Sequence, residues 1–122
     1  MAKILIIDDS GLSRRMMRKI LEEASHKVVE AGDGFAALEL FTLENPQMVM
    51  LDLTMPGING FDVLSQLKTI NPKTKVVIAS ADIQSLTKDL AKQKGADGFI
   101  NKPFIQQEII DIVELLTGEG KI

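Results

Sequence analysis

The chain has 122 residues, of which 45% are hydrophobic and 25% are charged, and its net charge is −3. This length suits one domain with one core, and the composition excludes a disordered chain. The absence of cysteine excludes disulfides, thiol catalysis and thiolate metal sites, and the acidic balance argues against nucleic acid as a direct partner. No segment has the roughly 18 apolar residues of a membrane span, so we expect no membrane insertion and a cytoplasmic location.

Five short apolar runs predict five β-strands, because β-branched residues and polar flanks are typical of strands. The first, third and fourth runs show no alternation of polar and apolar residues, which indicates strands covered on both faces. The second is the most polar of the longer runs, which favours an edge strand. The five runs are Ile4–Ile7, Lys27–Glu30, Met48–Leu51, Val76–Ala79 and Gly98–Ile100.

Apolar residues with helical spacing follow each of these runs and predict five helices. Strand and helix thus alternate five times, which predicts an α/β domain with a parallel sheet. We expect one domain over residues 1–122, with residues 118–122 as a short mobile tail. The predicted helical stripes are Leu12, Met16, Ile20 and Ala24 after a Ser10 cap; Ala37, Leu38 and Phe41 after Asp33; Phe61, Leu64 and Leu67; Ile83, Leu86 and Leu90 after a cap at Ser80 or Asp82; and Ile105, Ile109, Ile112, Val113 and Leu116 before a stop at Gly118.

Three acids follow two of the predicted strands. Asp8 and Asp9 come directly after the first run, and Asp52 comes directly after the third. In an open parallel sheet, ligands bind beyond the carboxyl ends of the strands, so these carboxylates would share one crevice if the strands are neighbours. Two unit charges about 4 Å apart repel by about 4 kcal/mol at an effective dielectric of 20, which calls for a cation. Magnesium suits an all-oxygen ligand set. Taken singly, each aspartate is also typical of a helix cap or a turn.

The fourth and fifth runs add a hydroxyl and an ammonium to the same rim, through Ser80 and Lys102. Taken singly, Ser80 is most simply a helix cap and Lys102 a solvated surface lysine. Together with the acids, they form a set that suits an incoming dianion such as a phosphoryl group. Asp52 would then be a carboxylate nucleophile that forms an aspartyl phosphate.

Four motifs, in order, resemble the receiver domain of two-component response regulators, of the CheY-like single-domain kind. The resemblance covers about residues 3 to 117 and implies a flavodoxin-like, doubly wound, five-stranded parallel sheet of order 2-1-3-4-5 with five helices. The motifs are Ile7-Asp-Asp-Ser10, Asp52-Leu-Thr-Met-Pro-Gly-Ile-Asn-Gly60, Ser80-Ala81 and Gly95-Ala-Asp-Gly-Phe-Ile-Asn-Lys-Pro-Phe104.

The resemblance also implies a cofactor. In the family pattern, Asp9 and Asp52 bind Mg²⁺ directly, with Mn²⁺ as the alternative ion. Asp8 acts through a water molecule, and the backbone carbonyl of Thr54 completes the protein ligands.

A further implication is phosphotransfer to Asp52 from the phosphohistidine of a histidine kinase or phosphotransfer domain. Ser80 and Lys102 would contact the phosphoryl oxygens, so the catalytic set is Asp52, Ser80 and Lys102. The protein would catalyse its own phosphorylation and dephosphorylation without being an enzyme for an external substrate. Thr54 and Asp82 stand at the two variable positions that tune the phosphoryl lifetime in the family, and the Lys102–Pro103 peptide is expected to be cis.

The implied switch runs from Ser80 to Phe99. After phosphorylation, Ser80 moves toward the new oxygens and Phe99 turns inward, which alters the face formed by the fourth helix, the fifth strand and the fifth helix. That face would bind a downstream protein target or form a phosphorylation-dependent homodimer. Two departures from the family pattern are mild: Ser80 stands where threonine is commoner, and Phe99 cannot donate the hydrogen bond of a tyrosine.

Several alternatives remain open from the sequence. The chain could be a receiver fragment of a longer regulator, or an interaction module that is never phosphorylated. A haloacid-dehalogenase-like phosphatase would need a second aspartate where Thr54 stands, and an FMN carrier would need a glycine- and hydroxyl-rich loop in place of Asp8 and Asp9. The pathway is open among chemotaxis, motility and a phosphorelay.

The first predicted helix carries four positive charges close to the proposed acidic site, at Arg14, Arg15, Arg18 and Lys19. They form either a solvated face paired with Glu22 and Glu23 or a docking surface for the phosphodonor.

Overall fold

The computed structural model describes residues 1–57, 59–81 and 84–118, so Asp82 and the predicted tail beyond Gly118 lie outside the described residues. Five strands and five helices alternate along these ranges. The strands are β1 (Lys3–Ile7), β2 (Lys27–Ala31), β3 (Met48–Leu51), β4 (Lys75–Ser80) and β5 (Gly98–Asn101). The helices are α1 (Gly11–Glu23), α2 (Gly34–Glu44), α3 (Gly60–Ile70), α4 (Ser85–Gln93) and α5 (Gln106–Thr117).

The five strands form one parallel sheet of order β2-β1-β3-β4-β5, which confirms the predicted flavodoxin-like fold. The polar β2 lies at an edge, as its composition indicated. In register, Ile7 of β1 lies between Ala31 of β2 and Leu51 of β3. The strand order reverses beside β1, so the carboxyl ends of β1 and β3 are adjacent at the point where such folds bind ligands.

Alternate residues of the central strands point to opposite faces of the sheet and build two separate cores. Leu5 and Ile7 of β1 face α2, α3 and α4, whereas Ile4 and Ile6 face α1 and α5. Because both faces are covered, β3 is buried at all four positions, which explains its unbroken apolar run. Among the described residues, no helix is both long enough and apolar enough to span a bilayer.

The buried face of α1 differs from the predicted stripe. Met17 and Leu21 are buried, whereas Leu12 and Met16 are 63% and 43% exposed. Two overlapping stripes exist in this helix because apolar residues occur at both 16–17 and 20–21. Only the packing of α1 against the sheet selects the stripe that contains Met17 and Leu21.

Three predicted helix termini are confirmed. The Ser10 side chain accepts a hydrogen bond from the Ser13 amide at 3.1 Å, and Asp33 caps α2 in the same way. Gly118 ends α5 with φ of +76°, the left-handed conformation that favours glycine. The prediction of a cap for α4 at Ser80 or Asp82 is wrong, because the N-cap residue is Gln84.

Candidate functional site

Asp52 lies directly after β3 and continues its hydrogen-bond ladder, since its amide donates to the Ile7 carbonyl at 2.9 Å. The residue is only 3% exposed. Its Oδ1 accepts three hydrogen bonds, from the Thr54 amide at 2.9 Å, the Thr54 hydroxyl at 2.8 Å and the Ser80 hydroxyl at 2.9 Å. Its Oδ2 accepts a hydrogen bond from Lys102 Nζ at 3.1 Å. Both oxygens of the buried carboxylate therefore accept hydrogen bonds from the protein.

Asp8 is also 3% exposed, and its amide and both of its carboxylate oxygens have hydrogen-bond partners. Its amide donates to the Ala31 carbonyl at 3.1 Å, and its Oδ1 accepts from the Ser10 amide at 2.9 Å. Its Oδ2 accepts from Lys102 Nζ at 2.7 Å. Lys102 thus bridges the carboxylates that follow β1 and β3.

Asp9 completes an acidic cluster with Asp8 and Asp52. One carboxylate oxygen of each residue lies within 4.8 Å of the others, and Asp9 is exposed while its two neighbours are buried. The three groups offer only oxygen ligands at a spacing that one ion can span, so they fit a hard divalent cation such as Mg²⁺.

The pKa values of Asp52 and Lys102 move in opposite directions. Burial raises the pKa of Asp52, but the hydrogen bonds from Thr54, Ser80 and Lys102 outweigh burial and hold it below its usual value. Burial lowers the pKa of Lys102, but its hydrogen bonds to Asp8 and Asp52 outweigh burial and raise it. Both groups are therefore charged at neutral pH, and the ammonium group of Lys102 contacts the carboxyl groups of Asp8 and Asp52.

Ser80 links the loop after β3 to the end of β4. Its hydroxyl accepts a hydrogen bond from the Leu53 amide at 3.0 Å and donates to Asp52 Oδ1. Ser80 does not cap α4 because it is the last residue of β4, and the N-cap residue of the helix is Gln84. Any group that draws the Ser80 hydroxyl away from this position also removes the partner of the Leu53 amide.

Phe99 lies on β5, apart from the acidic cluster, and is half-buried. The ammonium groups of Lys88 and Lys92 lie 5.7 and 6.0 Å from its ring centroid, close enough for cation–π attraction. The Lys102–Pro103 peptide is cis, as predicted. The structure therefore brings Asp8, Asp9, Asp52, Thr54, Ser80 and Lys102 together and leaves Phe99 on a neighbouring face.

Sequence reasoning missed the connection between α1 and the edge strand. Arg14 and Arg18 both donate to Glu30 of β2, and Arg14 also donates to the Asp8 carbonyl. Of the pairing predicted along the helix, the described residues show the Arg18–Glu22 pair. The available signal was Glu30 itself, a charged residue within a strand, which was interpreted only as the mark of an edge.

Comparison with known proteins identifies the family. The profile of the response regulator receiver domain matches residues 4–114. The chain belongs to this family. Receiver domains of two-component systems are signalling phosphoacceptors rather than enzymes that turn over an external substrate, and they bind Mg²⁺ in a pocket of aspartates.

Individual relatives match the receiver domain along nearly its whole length. The chain is 36% identical over 119 residues to Protein CcdB of Bacillus subtilis, covering 97% of this receiver domain and 99% of the relative. It is 34% identical over 119 residues to the chemotaxis protein CheY of Halobacterium salinarum, covering 96% and 99%. Among solved structures, the receiver domain of Francisella response regulator 1452 superposes with a TM-score of 0.88 at 30% identity, covering 99% of this chain and 100% of that one.

Proposed function

We propose that Asp52 accepts a phosphoryl group from the phosphohistidine of a histidine kinase or a phosphotransfer domain. The observation that carries this proposal is the buried, ionised carboxylate of Asp52, which lies beside Lys102 and within reach of Asp8 and Asp9. A purely structural aspartate would need one counter-charge, whereas here Asp52 and Asp8 share one ammonium group and Asp9 brings a third carboxyl group to the cluster.

The cation is the first part of the proposal. Asp9 and Asp52 would hold Mg²⁺, or Mn²⁺ in its place, with Asp8 acting through water and the Thr54 carbonyl as a further ligand. When bound, the ion supplies positive charge that offsets the oxygens of the incoming phosphoryl group. The three acidic side chains already lie close enough to one another for this role.

The chain's own residues perform the transfer. A carboxylate oxygen of Asp52 attacks phosphorus, the phosphorus–nitrogen bond breaks, and its electron pair stays on the imidazole nitrogen of the donor. The raised pKa of Lys102 keeps its ammonium group charged, so it can follow the phosphoryl oxygens. The Ser80 hydroxyl, which now donates to Asp52, would donate to a phosphoryl oxygen instead. Self-catalysed phosphorylation and dephosphorylation would therefore depend on Asp52, Ser80 and Lys102.

The output is a change of the face formed by α4, β5 and α5. The proposed signal passes from Ser80 to Phe99, whose ring is held in part by Lys88 and Lys92 and is free to repack because it is only half-buried. A two-state element of this kind needs only one charge event to bias it. The altered face would bind a protein target or a second phosphorylated copy.

Other parts of the proposal come from the sequence. Thr54, whose hydroxyl donates to Asp52, and Asp82 would set the phosphoryl lifetime. Residues 1–122 would act as one receiver domain, in the cytoplasm where the ATP that charges a histidine kinase is available.

The test of phosphorylation is intact mass after incubation with acetyl phosphate and Mg²⁺. We expect a gain of one phosphoryl group that depends on Mg²⁺ and disappears in Asp52→Asn. The exposed Asp89→Asn is the matched control and should label like the unmodified chain. No mass gain would favour an interaction module that is never phosphorylated, and a gain that survives in Asp52→Asn would overturn the assignment of the site.

The test of the output is capture of partners with beryllofluoride-treated and untreated protein. We expect a partner that binds only the treated form and is lost after charge reversal on α4 or α5. Size-exclusion chromatography of the treated protein distinguishes a second copy from a different target. Identical behaviour of treated and untreated protein in both assays would contradict the proposed switch.

A further inference from the structure

The peptide bond between Asp8 and Asp9 is held by a side chain outside the acidic cluster. Nη1 of Arg14 donates to the Asp8 carbonyl oxygen at 2.7 Å. A peptide unit is planar, so fixing this carbonyl oxygen also fixes the nitrogen and the Cα of Asp9. The Arg14 contact therefore constrains the peptide plane that leads into Asp9.

Asp9 depends on this peptide more than Asp8 does. The amide and both carboxylate oxygens of Asp8 have partners of their own, in Ala31, Ser10 and Lys102. The Asp9 carboxylate is exposed, and no group within residues 1–57, 59–81 and 84–118 donates a hydrogen bond to it. Its placement therefore relies on the backbone alone.

Arg14 is itself anchored to the sheet. Its Nε donates to Glu30 Oε1 at 3.1 Å, and Arg18 Nη1 donates to the other oxygen of Glu30. Glu30 lies on β2 opposite Ile6 of β1, so the anchor belongs to the same pair of strands that delivers Asp8. Only about a quarter of each side chain of the Arg14–Glu30 pair is exposed. The guanidinium thus bridges the edge strand and the loop with two different nitrogens, which a lysine could not reproduce.

Gly32 leaves room for this guanidinium. A Cβ atom at Gly32 would lie 3.2 Å from Arg14 Nη1, the same nitrogen that donates to Asp8. The methyl group of Gly32→Ala therefore requires Arg14 Nη1 to shift by a few tenths of an ångström, and it removes no charge. The chain thus offers a variant that separates the position of Arg14 from its charge.

We propose that Arg14, anchored by Glu30, is a positioning residue that orients the Asp8–Asp9 peptide so that Asp9 can bind the cation. This role rests on the proposed function, because it concerns the cation that Asp9 and Asp52 would share. The charge of Arg14 and the position of its guanidinium group have opposite effects on cation binding. The positive charge of Arg14 repels a cation, whereas its hydrogen bond to Asp8 prepares the ligand.

The test is a titration of Mg²⁺ followed by backbone amide chemical shifts, with Arg14→Met compared with the unmodified chain. Loss of a group that orients a metal ligand weakens metal binding by about tenfold or more, which is the expected result. If only the charge of Arg14 mattered, Arg14→Met would bind Mg²⁺ more tightly. Arg15→Met is the matched control, because Arg15 is the next residue on the same helix and is exposed. It should bind Mg²⁺ no more weakly than the unmodified chain.

A metal-free measurement separates positioning from global instability. The ¹⁵N relaxation order parameter of the Asp9 amide should fall in Arg14→Met and Gly32→Ala but not in Arg15→Met, while amides in β3 and β4 keep theirs. Gly32→Ala should also weaken Mg²⁺ binding, although it keeps every charge. Unchanged or tighter Mg²⁺ binding in Arg14→Met, or an unchanged order parameter at Asp9, would overturn the proposal.

The outcomes also separate this proposal from the proposed function. If the unmodified chain neither binds Mg²⁺ nor gains a phosphoryl group, the proposed function fails. If the unmodified chain does both and Arg14→Met binds Mg²⁺ equally well, only the positioning role fails.

Discussion

The two ends of the sheet each carry a lysine–aspartate pair, and the two pairs are built differently. At the amino ends of the strands, Lys68 Nζ donates to Asp97 Oδ2 at 2.7 Å and to the Thr74 carbonyl at 2.7 Å. The same Asp97 oxygen accepts from the Val76 amide at 2.9 Å. At the carboxyl ends, and within the described residues, Lys102 Nζ donates only to the carboxylates of Asp8 and Asp52.

This difference is between an ion pair with matched charges and a lysine that two carboxylates share. The Lys68–Asp97 pair matches one positive charge with one negative charge and ties both side chains to the backbone of the loop before β4 and the start of that strand. Lys102 instead contacts two carboxyl groups, and Asp9 adds a third to the same cluster, so the cluster holds more carboxyl groups than ammonium groups. The unmatched carboxyl groups support the proposed cation site.

Exchanging each lysine for methionine should give the largest contrast. We expect Lys102→Met to slow labelling by acetyl phosphate by about a hundredfold, because removal of one preorganised donor at a developing charge has an effect of this size. Lys68→Met, the matched control, should label at the rate of the unmodified chain. The measurement is the initial rate of mass gain at saturating Mg²⁺. Equal labelling rates for the two variants would contradict a special role for Lys102 in phosphorylation.

Magnesium should stabilise the fold through the carboxyl end alone. At a hundred times its dissociation constant, a ligand that binds only the folded state raises the free energy of unfolding by about 2.7 kcal/mol. We expect this gain, measured by urea denaturation with and without Mg²⁺, to disappear in Asp9→Asn. Asp97→Asn should keep it. A gain that persists in Asp9→Asn would place the ion elsewhere.

Removal of the aspartate at the amino end should lower stability without affecting phosphorylation. Asp97→Ala leaves the Val76 amide and Lys68 without their shared acceptor, so we expect the free energy of unfolding to fall by about 2 kcal/mol. Asp89→Ala, an exposed control on α4, should change it by less than about 0.5 kcal/mol. Urea denaturation provides the values, and a loss of labelling in folded Asp97→Ala would contradict a purely structural role.

The smallest effect concerns pH. The pKa of Asp52 is lowered in the folded state, so its contribution to stability is present above the ordinary aspartate pKa of about 3.9 and is lost as pH falls through the lower folded value. In metal-free protein, the difference in unfolding free energy between the unmodified chain and Asp52→Asn should therefore hold from about pH 7 to about pH 5 and then move toward destabilisation of the unmodified chain. A shift in the opposite direction on acidification would show that the folded-state pKa is raised.

Both the sheet and the location of the acids could be predicted from the sequence, because both follow from the positions of the apolar runs. In a parallel sheet every strand ends at the same rim, so residues that follow the apolar runs must lie near one another once the order of strands is known. Asp8, Asp52 and Lys102 directly follow strands, Ser80 is the last residue of β4, and strand order places the four together.

Details that depend on helix rotation were beyond the sequence. The buried face of α1 was misassigned because Leu12 and Met16 compete with Met17 and Leu21 as a helical stripe. The same rotation brings Arg14 over Gly32 and against Glu30, so this contact could not be read from spacing along the chain. The start of α4 was misplaced because β4 extends through Ser80 and the helix begins at Ser85.

The Ser80 hydroxyl accepts one hydrogen bond and donates another, so its movement should be visible in the backbone amide spectrum. The Leu53 amide donates to the Ser80 hydroxyl, and that hydroxyl in turn donates to Asp52. If phosphorylation draws the hydroxyl away, the Leu53 proton loses its acceptor, and its resonance should move upfield while its exchange with solvent quickens. One backbone signal outside the acidic cluster would then report the state of the switch in real time, without a label on the phosphoryl group.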